Sequence, residues 1–124
     1  MTLLDYLRED LVPLMKRREK VGLRSVRDAI AAIENAATEY REAEPVVTTA
    51  TQHVAASVPF GQAERYVRTL TDAEMMALAR GEVTRRLDDA VHYRGLGDVD
   101  RALMLKAEAL TLADRLDAYP PDVR

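Results

Sequence analysis

Between Leu70 and Pro120 apolar residues recur twice at helical spacing, on either side of one glycine-containing turn, and few folds accept that pattern. Thr71-Asp72-Ala73-Glu74 has the form of a capping box, in which the Thr hydroxyl and the Glu carboxylate satisfy opposite amides at a helix start. Met75, Leu78, Ala79, Val83, Leu87, Ala90 and Val91 then follow at three- and four-residue steps, which predicts one apolar stripe. Gly95 and Gly97 are placed to end this helix and Asp98 to cap the next. The second stripe runs through Ala102, Leu103, Leu105, Ala109, Leu110, Leu112, Ala113 and Leu116, and stops at Tyr119 before two prolines. Tyr93 and Tyr119 would close opposite ends of this hairpin, each burying a ring and leaving its hydroxyl wet.

The N-terminal third predicts a helical pair. Thr2 caps a first helix with Leu4, Leu7, Leu11, Leu14 and Met15 as its apolar positions. Pro13 removes a hydrogen bond to the Glu9 carbonyl, so a kink or a fresh start is expected there. Gly22 is expected to break the pattern ahead of a second helix carrying Leu23, Val26, Ile30, Ile33 and Ala37 on one face. The second helix fades around Tyr40 to Glu44. Residues 45–60 hold almost no charge and no sustained period, which predicts a long loop or an insertion, and Gln62 to Leu70 can form a short helix. The fold class predicted is all-α: one domain over residues 1–124, a bundle of an N-terminal helix pair, a long connection and a long antiparallel helical hairpin.

Composition narrows the function classes. With no Cys there is no disulfide, thiolate metal site or Cys nucleophile. Only 5% of residues are aromatic, so Leu, Ala, Val and Met fill the interior, which suits close helix packing better than a large ligand cavity. No signal peptide and no apolar run of about 20 residues is present, which predicts a soluble cytoplasmic protein without a membrane partner. The net charge of −3 argues against indiscriminate nucleic-acid binding. It comes entirely from residues 71–124, with eleven acids against eight bases.

The dense basic cluster, Lys16, Arg17, Arg18, Lys20, Arg24 and Arg27, is interrupted in its first five positions only by Glu19. Converging ammonium and guanidinium groups suit phosphate; equally, cations at a helix C-terminus complement its dipole, and no aromatic is interleaved to stack bases. Asp88, Asp89 and His92 share a helical face at three- and four-residue spacing, which fits a surface ion pair better than a metal site lacking further ligands. Asp98 and Asp100 are accounted for as a cap and a first-turn acid. No phosphate loop, catalytic triad order or zinc-protease motif occurs, so neither catalysis nor a cofactor is predicted. Val46, Val47, Val54, Val58 and Phe60 either pack on the bundle or form a partner contact, and such a patch supports self-association into a homo-oligomer.

Taken in order, several pieces resemble the YqeY-like family, also called GatB/YqeY for its relation to the tRNA-dependent amidotransferase. Leu14-Met15-Lys16 ends the first helix as in that family, and Leu23, Arg27, Ala29, Ile30, Ala31, Ala32 and Ile33 match its second. Leu70-Thr71-Asp72-Ala73-Glu74 and Glu82-Val83-Thr84-Arg85-Arg86 stand where the family has its "LTDEE" and "EVxxR" motifs. Ala90, Tyr93, Gly95, Gly97, Asp98, Glu108, Leu112, Leu116, Tyr119 and Pro120 occupy its turn and closing positions. The resemblance covers the family's N-terminal helical domain, the sequence stopping at Arg124 where family members continue into a C-terminal tail domain. It implies a non-catalytic helical protein associated with tRNA or an amidotransferase-type complex. Without the tail, RNA contact would fall to the Lys16–Arg27 cluster; the alternative is a protein–protein module or homodimer without nucleic acid.

Overall fold

The computed structural model describes residues 1–42 and 69–120, and all four helices among them belong to an all-α bundle without strands. They are α1 (Leu3–Lys16), α2 (Lys20–Glu42), α3 (Asp72–Gly95) and α4 (Val99–Asp117). Residues 1–33 and 71–124 form one compact unit, and residues 34–70 a second. In the second unit α2 continues from Glu34 to Glu42, the Thr38 hydroxyl donating back to the Glu34 carbonyl at 3.0 Å. The expectations placed on residues 45–60, including Val46, Val47, Val54, Val58 and Phe60, and most of the short helix expected over Gln62 to Leu70, lie outside the described residues.

Local side-chain chemistry starts three of the helices. Thr2 with Asp5, and Thr71 with Glu74, form full capping boxes, and the Asp98 carboxylate accepts from the Arg101 amide at 3.2 Å. The helix α1 runs unbroken through Pro13 and does not begin afresh there.

The first turn differs more sharply from expectation. It falls at Arg17-Arg18-Glu19, ahead of Gly22, which lies inside the first turn of α2. The Glu19 amide donates to the Leu14 carbonyl and the Arg18 amide to Met15, with Arg18 at φ 57° between them. Leu96-Gly97-Asp98 repeats this Schellman pattern after α3, with Gly97 at φ 86° in the left-handed position. Gly22 serves packing instead. A Cβ there would lie 3.1 Å from Thr111 Cγ2 on α4 and 3.2 Å from Leu14 Cδ2 on α1.

In the first unit the core combines Leu3, Leu7 and Leu14 of α1 with Val26, Ala29, Ile30 and Ile33 of α2. Met75, Ala79 and Val83 of α3, and Ala109, Leu112 and Leu116 of α4, complete it. Residues of this kind each gain about 1.5–3 kcal/mol on full burial when they are the size of Val or Leu. Leu87, Val91, Leu103 and Leu110 are not part of it; they stand exposed on the hairpin, so its apolar pattern contains an outer face as well as an inner one.

Tyr119 is buried, and its hydroxyl is not wet as expected: it donates to Asp72 Oδ2 at 2.5 Å. Asp72 also accepts from the Leu3 amide at 2.9 Å, so one carboxylate ties the starts of α1 and α3 to the end of α4. The Tyr6 ring meets Tyr119 at 5.1 Å between centroids, and its hydroxyl donates to the Arg115 carbonyl at 2.9 Å.

Candidate functional site

The end of α1 and the start of α2 place all six cations of the basic cluster on the surface. Helix-end chemistry accounts for only part of them. Lys16 lies in the last turn of α1 and Arg17 at its C-cap, where positive charge complements the dipole. Lys20 opens α2, whose first turn contains no acid, and there the dipole opposes a cation. Lys20, Arg24 and Arg27 follow at four- and three-residue steps and line one shallow groove with Leu23 and Asp28, so they share a face of α2. Arg18 adds a cation on a left-handed backbone that glycine would hold at less cost.

Beneath this edge lies a charge network that sequence reasoning missed. Arg86 of α3 is 4% exposed and Glu108 of α4 is 3% exposed. Arg86 Nε donates to Glu108 Oε1 at 3.0 Å and Nη1 to Glu82 Oε1 at 3.0 Å, while Nη2 pairs with Asp28 of α2. Glu82 also pairs with Arg85 at 2.5 Å. Burial works against the guanidinium charge, but the hydrogen bonds that Arg86 donates to Asp28 and Glu108 outweigh it and hold the Arg86 pKa above its ordinary value. Three helices are thus cross-linked by one cation whose donors are divided among three carboxylates. The signal was present in the sequence. Arg86 falls in register with Met75, Ala79, Val83 and Ala90, and Glu108 stands beside Ala109 in the stripe of Leu112 and Leu116.

The network determines the charge of the edge above it. Asp28 and Glu108 are two of the four carboxylates that line grooves together with Arg24 and its neighbours, the others being Asp98 and Asp100. The first two are already committed to Arg86; Arg24 reaches Glu108 only at 3.8 Å and remains 67% exposed. Arg17 pairs with Glu19 at 3.2 Å. Lys16, Arg18, Lys20 and Arg27 have no ion-pair partner among the described residues. The adjoining groove of about 400 Å³ places Arg101 beside Arg24 but also carries Asp98 and Asp100, which bounds the cationic edge on that side.

Asp88, Asp89 and His92 are exposed on α3, and the His92 ring packs edge-on against Tyr93 at 5.4 Å. The Tyr93 ring carries the Arg101 guanidinium 4.8 Å above it. Among the described residues no group of three acids or histidines converges to hold a metal ion, and no helix is long and apolar enough to cross a membrane. No family model, curated protein or solved structure matches this chain.

Proposed function

We propose that this chain is a non-catalytic helical binding protein whose working surface is the cationic edge from Lys16 to Arg27, and that its partner there is a structured RNA. The observation that carries the reading is the uncompensated charge of that edge. Four of its six cations have no ion-pair partner among the described residues, and two of the carboxylates that border it, Asp28 and Glu108, are paired with Arg86. Placing Lys20 at a helix start and Arg18 on a left-handed backbone costs stability, which a phosphate-contacting role explains and solubility alone does not. The resemblance to YqeY-like proteins supports tRNA as the RNA class.

Fluorescence anisotropy with labelled tRNA tests this. If four phosphates are neutralised, log K falls by about 3 for each tenfold rise in salt. Raising salt from about 50 to about 200 mM then weakens binding roughly 60-fold. The double variant Lys20→Glu, Arg27→Glu removes binding while the helical signal persists. Absence of binding at low salt sinks the RNA reading.

A second reading, a protein–protein module serving an amidotransferase-type complex, is favoured by a different observation: the large apolar residues exposed along the α3–α4 hairpin.

A further inference from the structure

Independently of the RNA reading, the outer face of the hairpin has the features of a docking groove. Ala90 of α3 and Ala102 of α4 are small and buried, and a groove of about 190 Å³ sinks between the two helices at their level. Leu87 and Val91 form one bank and Leu103 the other; Val91 is 72% and Leu103 54% exposed. Apolar area of this kind is ordinarily kept from water, and a contiguous strip of it marks a contact surface. On α4 the strip continues through Val99, Leu103 and Leu110, a rise of about 16 Å or three helical turns.

The charge around the groove specifies the occupant. Arg94 and Lys106 line it, no carboxylate does, and neither cation has an ion-pair partner among the described residues. Four other cations of the same hairpin are paired, Arg80 with Asp117 at 2.6 Å, Arg85 and Arg86 with Glu82, and Arg115 with Asp10 at 3.1 Å, and Arg101 lies over the Tyr93 ring. Arg94 near the end of α3 complements a helix dipole, but Lys106 lies mid-helix, where no dipole accounts for it. A second copy is a poor fit, because a two-fold axis through the groove would bring Arg94 and Lys106 of both chains together. The small volume admits one large apolar side chain, which suits a helix presenting a knob better than an acyl chain.

We propose that this groove docks an acidic amphipathic helix of a partner protein, with an apolar side chain between Leu87, Val91 and Leu103 and carboxylates against Arg94 and Lys106.

The test uses the full chain and two labelled helical peptides of about five turns, which span the strip with a turn to spare at each end. Both carry Leu at three- and four-residue steps; one is flanked by Glu and the other by Lys. The Glu peptide is expected to bind at least tenfold tighter than the Lys peptide. Leu103→Asp should abolish that binding, and Arg94→Glu with Lys106→Glu should reverse the preference. All these positions are exposed, and an unchanged unfolding midpoint confirms that each variant is folded. Equal binding of the two peptides, no binding of either, or binding that survives Leu103→Asp overturns the proposal. So does a concentration-dependent dimer that Leu103→Asp disrupts, because the face would then belong to a second copy.

Discussion

Replacing Arg86 with Met leaves three carboxylates without the cation that organises them, and the cost can be worked from their surroundings. Glu108 dominates: it is as buried as Arg86 itself, and its one other cation among the described residues, Arg24, stands 3.8 Å away and largely in solvent. Glu82 is partly buried and retains Arg85, while Asp28 is 45% exposed and water replaces much of what it loses. Removing one partner of a buried ion pair costs about 3–5 kcal/mol. The lower half of that range applies here, because the two outer carboxylates are partly hydrated and Glu108 borders an open groove. For a chain of this length about 3 kcal/mol lowers the melting temperature by roughly 10 °C. The double variant Arg86→Met, Glu108→Met removes the stranded charge together with its cation, so it is expected to be more stable than Arg86→Met alone by about 1–3 kcal/mol. Urea unfolding followed by circular dichroism measures both. A cost below about 1 kcal/mol for Arg86→Met, or simple additivity in the double variant, would refute the idea that this network holds α2, α3 and α4 together.

Gly22→Val forces a branched side chain into the 3.1 Å and 3.2 Å approaches of Thr111 and Leu14; it is expected to destabilise by about 1–3 kcal/mol in the same assay. Burial, followed by the charge of Asp10, raises the Tyr6 phenol above its ordinary 10.0, with Arg115 acting the other way. The folded state therefore keeps a proton that the unfolded chain releases, so this contribution is complete below pH 10.0 and is lost as pH rises through the folded value. Tyr6→Phe should cost about 1 kcal/mol near neutral pH, from the lost bond to the Arg115 carbonyl, and the gap to the native chain should close under alkali. Unfolding midpoints across the alkaline range measure it.

The parts of this fold that were legible in the sequence rest on interactions a few residues long. Thr2, Thr71 and Asp98 cap helices because a side-chain oxygen reaches an amide three residues on, and such spacing can be seen in one dimension. Gly22 misled because glycine's weak helix propensity suggests a break, whereas close packing against Leu14 and Thr111 calls for a missing side chain within the helix. The turn itself uses Arg18, and nothing about an arginine announces a left-handed backbone. Leu87, Val91, Leu103 and Leu110 share the helical period of the core positions, and only the placement of the other helices separates inner from outer face. The basic cluster was visible as a cluster. That it stays uncompensated depends on Arg86 taking Asp28 from 58 residues away and Glu108 from 22, and no local pattern encodes either partnership.

The most direct test of the cationic edge is an NMR titration of the isotopically labelled full chain with unlabelled tRNA at low salt. Amide shifts are expected to concentrate between Lys16 and Arg27 and to disappear in the Lys20→Glu, Arg27→Glu variant. Shifts absent altogether, or confined to the α3–α4 hairpin, would contradict an RNA-binding role for that edge.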